Sequence, residues 1–302
     1  MCIRDRVSFS SIPEDNTIES IFPVDNIDLL SIISEGEAST VNPILGWAGS
    51  LSGLERQRGY WLIGPDLPDG QTDYDTLTYL ISDAVPTPMD LVYDIHENVN
   101  LLSYVGIDGL EISEALPDSI ENITTDIIGE GVAASKNPVL GWIGSLTHFH
   151  RDKGYWLRNN IDGVSDTSIY FSWHIPGQDI LFSPGKIKQY DLPKKLDEFT
   201  YTQSSKQAFY FINKLKLDEY SPNQNDWIIA YNNDVIVGAR KWNGKFTDIP
   251  AMGNDGTQST IGYCENGDYP TFKLYVSNTG ELINLDSGNI DPWEDLLVSN
   301  VN

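Results

Sequence analysis

The chain has 302 residues, of which 40% are hydrophobic and 11% aromatic, a composition that suits two or three globular domains and excludes a disordered protein. Nineteen basic residues against 44 acidic ones give a formal charge of −25, and such a surface repels the phosphates of nucleic acids and of anionic membranes. No apolar run approaches the roughly 20 residues that a membrane-spanning helix needs. We therefore expect neither a nucleic-acid partner nor a membrane span.

The first six residues, MCIRDR, read like the translation of a transposase adapter used in shotgun sequencing. We therefore interpret residues 1–6 as a sequencing artefact and expect natural sequence from about Val7, with the true start missing and any signal peptide lost with it. Cys2 belongs to this segment, which leaves Cys264 as the single cysteine. A disulfide within the chain, a CxxC redox pair and a Cys-based zinc site are therefore excluded.

Residues 32–62 recur as residues 127–157, at an offset of 95 and without a gap, and 18 of the 31 aligned positions are identical. Both copies contain an Asn-Pro turn, a Gly-Trp-x-Gly-Ser-Leu segment and a closing Gly-Tyr-Trp-Leu. Self-similarity of this kind predicts a tandem repeat. We place repeat 1 at residues 7–83, without its opening strand, and repeat 2 at residues 84–173.

We predict the secondary structure of repeat 2 from its own sequence pattern and transfer it to repeat 1 by aligning the two copies. A strand at 99–104 precedes a short helix at 112–120, whose counterpart in repeat 1 spans 18–24, where Pro23 limits it to a turn or two. Two strands follow, one with Trp, Gly and Leu alternating and one opened by Gly-Tyr-Trp, whose glycine indicates a bulge or a close backbone approach. Each repeat closes with an apolar strand, at 77–81 and at 169–173.

The remainder of the chain has a different pattern. Residues 177–183 loosely match the start of a third repeat, and we assign residues 174–196 to this partial start and a Lys- and Pro-rich linker. Residues 197–302 alternate short apolar runs with turn signals: strands at 227–231 and 235–239 flank Asn-Asn-Asp, Asn243-Gly244 predicts a second hairpin, and strands at 271–276 and 281–285 flank a third turn. The predicted fold is mainly β, with short helices in the repeats: two tandem repeat domains followed by an antiparallel β-sandwich.

Several motifs carry a resemblance. The Asn100-Leu101-Leu102-Ser103 strand, the Gly-Trp-x-Gly-Ser-Leu segment and the closing Gly-Tyr-Trp resemble tandem modules of large secreted bacterial proteins, often surface-attached or exported by the type IX route. Residues 225–231, 237–240, 251–256 and 270–275 resemble a β-rich module from the same kind of protein. The resemblance implies an extracellular or cell-surface location for the chain.

Six aromatic residues of the repeat motif are candidate ligand-binding residues: Trp47, Tyr60, Trp61, Trp142, Tyr155 and Trp156. Their rings could stack on the apolar face of a sugar, but their presence at equivalent places in both copies favours core packing. His148 and His150 would share one face of an extended segment near Asp152 and could begin a metal site, although repeat 1 has no histidine there.

Calcium is the one cofactor that the loops suggest. Acidic and amide side chains cluster in the turns of the last domain and offer the oxygen ligands that this cation prefers, although no EF-hand spacing occurs and solvated turn residues are the simpler interpretation. The candidates are Asn233, Asp234, Asn254, Asp255, Glu265 and Asp268.

Catalytic signatures are missing from the sequence, which has no GxSxG elbow, no HExxH and no phosphate-binding GxxxxGK[ST]. We therefore expect a non-catalytic fragment of an extracellular or cell-surface protein that serves adhesion, spacing or ligand binding, with a polysaccharide or a cell-surface ligand as its partner. The alternative is the accessory, carbohydrate- or substrate-binding region of a secreted multidomain hydrolase, whose catalytic domain would lie outside this segment.

Overall fold

The computed structural model describes residues 2–26, 29–66, 79–160, 169–175, 199–202, 204–217 and 220–301. These residues divide into two compact units, one within Met1–Glu130 and Ala134–Pro176 and the other within Gly131–Ala133 and Gly177–Asn302. Strands account for 44% of the structure and helices for 7%, which confirms the mainly-β class. The predicted third start at 177–183 and the linker at 184–196 lie outside the described residues.

Repeat 1 is built on a five-stranded antiparallel sheet with the strand order β1-β6-β3-β4-β5. A second pair, β2 and β7, joins the start of repeat 1 to residues just beyond its predicted end at residue 83. Its elements are β1 (Cys2–Val7), β2 (Ser11–Ile12), α1 (Ile18–Ile21), a 3-10 helix (Val24–Asn26), β3 (Ser31–Ser34), β4 (Glu37–Asn42), β5 (Gly46–Gly49), β6 (Tyr60–Asp66) and β7 (Val85–Pro86).

Repeat 2 has the same sheet, in the order β9-β15-β11-β12-β13, and adds the small pairs β10 with β14 and β8 with β16. Its elements are β8 (Tyr93–Ile95), β9 (Asn98–Ser103), β10 (Leu110–Glu111), α2 (Ile112–Ala115), α3 (Asp118–Glu121), β11 (Thr124–Ile128), β12 (Ala133–Asn137), β13 (Gly141–Gly144), β14 (His148–Phe149), β15 (Gly154–Asn159) and β16 (Ile169–Phe171). Strands β5 and β13 are separated by the same 95 residues as the sequence repeat.

Four predicted elements of the repeats differ from the structure. The opening strand that the sequence predicts to be missing from repeat 1 is present as β1, which is made largely of residues 2–6 and pairs with β6. The helix predicted over 112–120 is two short helices, because Pro117 has no N–H to donate and stands at the start of the second. Of the closing strand predicted at 77–81, residues 79–81 form no strand and the first two residues lie outside the described part. The closing strand of repeat 2 ends at Phe171, two residues before the predicted end.

The two repeats pair through reciprocal backbone contacts within the first unit. The Ser103 N–H donates to the Gln57 carbonyl at 2.9 Å, and 95 residues earlier the Ser8 N–H donates to the Asp152 carbonyl, also at 2.9 Å. Isolated bridges join Arg58 with Leu102 and, in the equivalent direction, Val7 with Lys153. Each surface therefore meets its own equivalent, as in an isologous dimer, and the repeats are related by an approximate twofold axis.

Gly59 and Gly154, the glycines of the Gly-Tyr-Trp motif, meet where the two repeats cross. A Cβ on Gly59 would lie 3.0 Å from the Gly154 Cα, and a Cβ on Gly154 would lie 3.1 Å from the Gly59 Cα. A side chain at either position would force the facing backbone to shift by a few tenths of an ångström. The close backbone approach predicted for this glycine is confirmed, and the neighbouring backbone belongs to the other repeat.

The second unit is a sandwich of two sheets, β20-β17-β23 and β19-β18-β21-β22, around one apolar core. Its elements are β17 (Gln207–Ile212), β18 (Trp227–Asn232), β19 (Val235–Lys241), β20 (Thr247–Met252), a 3-10 helix (Gln258–Thr260), β21 (Thr271–Val276), β22 (Glu281–Leu285) and β23 (Val298–Val301). The hairpins β18–β19 and β21–β22 confirm two of the predicted turns.

Two features of the sandwich differ from the prediction. Asn243-Gly244 does not close a hairpin, because β19 and β20 on either side of it belong to different sheets and the dipeptide forms the corner between them. The sandwich is also not wholly antiparallel, since β17 pairs with β23 in parallel. A parallel pair needs a long connection, and here it joins strands about 85 residues apart, beyond the reach of turn signals.

Candidate functional site

A cleft of about 700 Å³ opens in the first unit at the junction of the two repeats. Repeat 1 contributes polar residues from the end of β3 and from the segment before β6: Glu35, Glu55, Gln57 and Arg58. Repeat 2 contributes one aromatic, several polar and three aliphatic residues from β8, β9 and β16: Val92, Asp94, His96, Asn100, Leu101, Leu102 and Tyr170. The cleft therefore has one wall from each repeat.

The repeat 2 wall carries an exposed aromatic ring on a well-supported strand. In the pair β8–β16, Tyr170 lies opposite Asp94, and 66% of Tyr170 is exposed. The alternate residues point the other way, where Phe171 stacks on Tyr93 with ring centroids 5.3 Å apart. Because Phe171 and Tyr93 are buried, the opposite face of this strand pair is anchored in the core while the Tyr170 ring faces the cleft.

His96 is fixed at the edge of the cleft by the turn between β8 and β9. Its backbone N–H donates to the Asn100 Oδ1 at 2.9 Å, and the Asn100 Nδ2 donates back to the His96 carbonyl at 2.9 Å. The imidazole Nδ1 contacts the Glu97 carbonyl at 2.8 Å, and Nε2 contacts the Glu35 carboxylate. Both partners are acceptors, so this geometry suits an imidazolium with a proton on each nitrogen.

The pKa of His96 is raised above its ordinary value. Partial burial lowers the pKa, but the hydrogen bonds to Glu97 and Glu35 and the charges of Glu35 and Asp94 together outweigh that effect. Glu35 also accepts the Leu101 N–H at 2.8 Å and so ties the walls of the cleft together. The charge of His96 offsets that of one carboxylate in the cleft.

Arg58 is the second cation of the cleft and is held by two carboxylates of its own repeat. Its Nε lies 3.0 Å from the Glu55 Oε2, and its Nη1 lies 3.1 Å from the Glu37 Oε2. The lining residues thus include three carboxylates, from Glu35, Glu55 and Asp94, against the two cations Arg58 and His96. In a chain with a formal charge of −25, this cleft is nearly balanced in charge.

No known protein family, no curated protein and no solved structure matches this chain. Among the described residues, no helix has the length and apolar character required to cross a bilayer, and the helices there span four residues or fewer.

The aromatic residues predicted from the motif do not line the cleft. Tyr60, Trp61 and Tyr155 are buried in the repeats, which is the packing role that the sequence favours. The phenol of Tyr60 accepts the Glu55 N–H at 2.6 Å, and the phenol of Tyr155 accepts the His150 N–H at 2.8 Å, an equivalent bond in each repeat. Burial raises the pKa of Tyr60 to about 12, so this phenol stays neutral.

The other three motif aromatics are half-buried. The Trp47 indole N–H donates to the Phe22 carbonyl at 2.7 Å, and the Trp142 indole N–H donates to the Glu121 carboxylate at 2.8 Å. Trp156 lies in β15 beside buried neighbours. The structure does not bring Trp47, Trp142 and Trp156 to the cleft, and it uses the first two indoles to hold the helical segment of each repeat.

The calcium candidates lie in turns of the second unit and are occupied by local hydrogen bonds. Asp255 Oδ1 accepts from Thr257 and Thr260, Asn254 Nδ2 donates to Glu265 at 2.8 Å, and Asp268 Oδ2 accepts the Glu265 N–H at 2.9 Å. Asn233 and Asp234 form the tip of the β18–β19 hairpin, where Asn233 has a φ of 53°. Within the described ranges no three acidic, His or Cys side chains come close enough to hold a metal ion.

His148 and His150 have separate partners. The His148 Nδ1 lies 2.8 Å from the Thr147 hydroxyl, and the His150 Nδ1 lies 3.4 Å from the Asp108 carboxylate.

The sequence offers little to identify the cleft residues. His96 and Glu35 are 61 positions apart, and Tyr170 comes from the far end of the repeat. One local signal exists, since Tyr170 alternates with apolar Ile169 and Phe171 on a short strand and so faces away from the core.

Proposed function

We propose that this chain is a non-catalytic, ligand-binding part of a secreted or cell-surface protein, and that the cleft between the repeats binds a neutral saccharide. The observation that carries the proposal is Tyr170, an exposed ring on a strand whose other face packs in the core, near polar side chains that are held by hydrogen bonds and ion pairs of their own. A ligand that meets such a site loses little free energy to ordering it.

The lining chemistry suits a sugar. The apolar C–H face of a pyranose packs on the face of a phenol ring, and its hydroxyl groups both donate and accept hydrogen bonds. Around Tyr170 the cleft offers carboxylate acceptors in Glu55 and Asp94 and the guanidinium donors of Arg58. Such a mixture of one aromatic platform and convergent polar groups is typical of small-ligand sites.

The charge of the cleft and of the whole chain argues for a neutral ligand. A polyanionic saccharide would meet three carboxylates in the cleft and the formal charge of −25 beyond it. A neutral glycan is repelled neither by these carboxylates nor by the net charge of the chain.

The location rests on the sequence. The motifs that resemble tandem modules of large secreted bacterial proteins support an extracellular or cell-surface protein, and a strongly acidic surface is compatible with that setting. An accessory region of a secreted hydrolase is the second candidate, since the same cleft would hold the substrate of a catalytic domain encoded outside this segment.

The test is isothermal titration of the chain with a panel of neutral and anionic polysaccharides, followed by the variant Tyr170→Ala. We expect one or more neutral glycans to bind, and Tyr170→Ala to weaken binding about tenfold, equivalent to ~1.4 kcal/mol. Tyr269→Ala is the matched control, because Tyr269 is 63% exposed, belongs to the second unit and is not a lining residue of the cleft. Binding that is insensitive to Tyr170→Ala, or a panel with no neutral ligand, would contradict the proposal.

A further inference from the structure

We propose that the surface by which the two repeats pair also fits a second copy of this chain, so that a repeat freed from its internal partner pairs with the same repeat of another molecule. The inference does not depend on the ligand of the cleft. It follows from the symmetry of the contacts, because an isologous surface is complementary to itself.

The repeats are joined by backbone hydrogen bonds, whose donors and acceptors are the same in both copies, and by polar side chains. Ser8 and Ser103 each donate an N–H across the junction at 2.9 Å, and the Gly59 N–H donates to the Leu101 carbonyl at 3.1 Å. A pair made of two copies of repeat 2 would form the same bonds twice, from Ser103 to Asp152 in each direction. Differences in side chains between the repeats leave this pattern unchanged.

One pair of side chains that takes part is also equivalent in the two repeats. Glu35 accepts the Leu101 N–H at 2.8 Å, and Glu130, 95 residues later, lies 3.5 Å from the Arg6 N–H. A carboxylate therefore faces the backbone N–H of the opposite edge strand in both directions. Repeat 2 carries both halves of this arrangement, the Leu101 donor and the Glu130 acceptor.

The two central glycines provide a selective way to block the pairing. A Cβ on Gly59 would meet Leu101 Cδ1 at 2.9 Å and the Gly154 Cα at 3.0 Å, both atoms of repeat 2. A Cβ on Gly154 would meet the Val7 carbonyl oxygen at 3.0 Å and the Gly59 Cα at 3.1 Å, both atoms of repeat 1. The nearest obstacles to a side chain at either glycine thus lie in the other repeat.

A substitution at one glycine leaves the opposite surface intact. In Gly59→Val, repeat 1 can no longer pair, and repeat 2 keeps Gly154 and all of its own pairing groups. In the unaltered chain, pairing within one molecule outcompetes pairing between molecules, because the linked repeat has an effective concentration in the millimolar range. Once that partner is blocked, a second molecule at tens of micromolar can take its place.

The experiment is sedimentation velocity of the full chain and of the variants Gly59→Val, Gly154→Val and the double variant, at about 5 to 100 μM. We expect the unaltered chain to be a monomer, each single variant to form a concentration-dependent dimer, and the double variant to return to a monomer. The double variant is the matched control, because it carries both substitutions but has no intact surface.

Circular dichroism of each variant separates loss of pairing from loss of folding. The variants Gly59→Ala and Gly154→Ala introduce smaller clashes and serve as a second set for the same sedimentation experiment. Folded single variants that stay monomeric, a double variant that dimerises like the single ones, or single variants that unfold without a discrete dimer would each overturn the proposal. Failure of saccharide binding would leave these sedimentation results unaffected, so the two proposals fail independently.

Discussion

The tyrosine of the Gly-Tyr-Trp motif has the same role in both repeats. Tyr60 and Tyr155 are buried, and each phenol oxygen accepts the backbone N–H of the residue five positions earlier in the chain. This bond holds the loop that leads into the strand, and in repeat 1 the same loop carries Glu55 and Arg58 to the cleft. The tyrosine of the motif therefore maintains the fold and, in repeat 1, positions a loop that lines the cleft.

Removal of either hydroxyl should destabilise the first unit. We expect Tyr60→Phe and Tyr155→Phe to lower the free energy of unfolding by about 1 kcal/mol each, because a buried N–H loses its acceptor. Urea titration followed by tryptophan fluorescence measures the change. Tyr170→Phe is the control with an exposed hydroxyl and should leave the midpoint unchanged; equal losses in all three variants would refute the assigned role.

His96 predicts a dependence of stability on pH. Its pKa is raised in the folded chain, so the ion pair with Glu35 adds stability that is fully present below the unfolded pKa of about 6.5 and is lost as pH rises through the higher folded pKa. The imidazole is well exposed, which keeps the effect below ~1 kcal/mol.

The measurement compares the unaltered chain with His96→Gln at pH 5.5 and pH 8.5 by urea titration. The stability difference between the two proteins should be larger at the lower pH, because only there is the imidazole fully charged. A difference that is the same at both pH values, or larger at pH 8.5, would contradict the assigned ion pair.

Individual residue roles were partly predictable from sequence. Alignment of the repeats indicates that Tyr60, Trp61 and Tyr155 are core residues, because a fold must keep them in every copy. The alignment gives no comparable indication for His96, Glu35 and Tyr170. These residues come together in the cleft only when segments far apart in the chain meet.

At the scale of elements, strands with local partners were predictable and those with distant partners were not. The hairpins β18–β19 and β21–β22 follow from turn residues between apolar runs. Asn243-Gly244 has the sequence of a hairpin turn but forms a corner, because β19 and β20 pack face to face in different sheets. Turn residues predict that the chain changes direction. Tertiary packing determines whether the two flanking strands then pair with each other or join different sheets.

The close packing of β19 on β20 gives a direct test of the sandwich. A Cβ on Gly238 would lie 1.7 Å from the Pro250 carbonyl oxygen, so Gly238→Ala should lower the stability of the second unit by roughly 3 kcal/mol or more. Gly244→Ala is the control, because Gly244 has a φ of 86° but open space around it, and it should cost about 1 kcal/mol. Thermal unfolding measures both, and equal melting temperatures would contradict the two-sheet arrangement.

At the scale of the whole molecule, the repeats form one unit and the candidate site exists only because they do. One wall of the cleft comes from each repeat, and Glu35 of repeat 1 binds Leu101 and His96 of repeat 2. The sequence predicts two copies of one fold but not their pairing, because the contacts are backbone hydrogen bonds and polar side chains from separate segments that form no local motif.

Hydrogen exchange resolved by residue tests the pairing of the repeats most directly. The amides of Ser8, Gly59, Leu101 and Ser103 donate across the junction and have acceptors only while the repeats are paired. In separate repeats, the amides of the edge strands would face water and exchange rapidly. We predict that all four exchange slowly and lose protection together in the variant that carries both Gly59→Val and Gly154→Val, which has no intact pairing surface. Rapid exchange of these four amides in the unaltered chain, with the sheet interiors still protected, would contradict the paired arrangement.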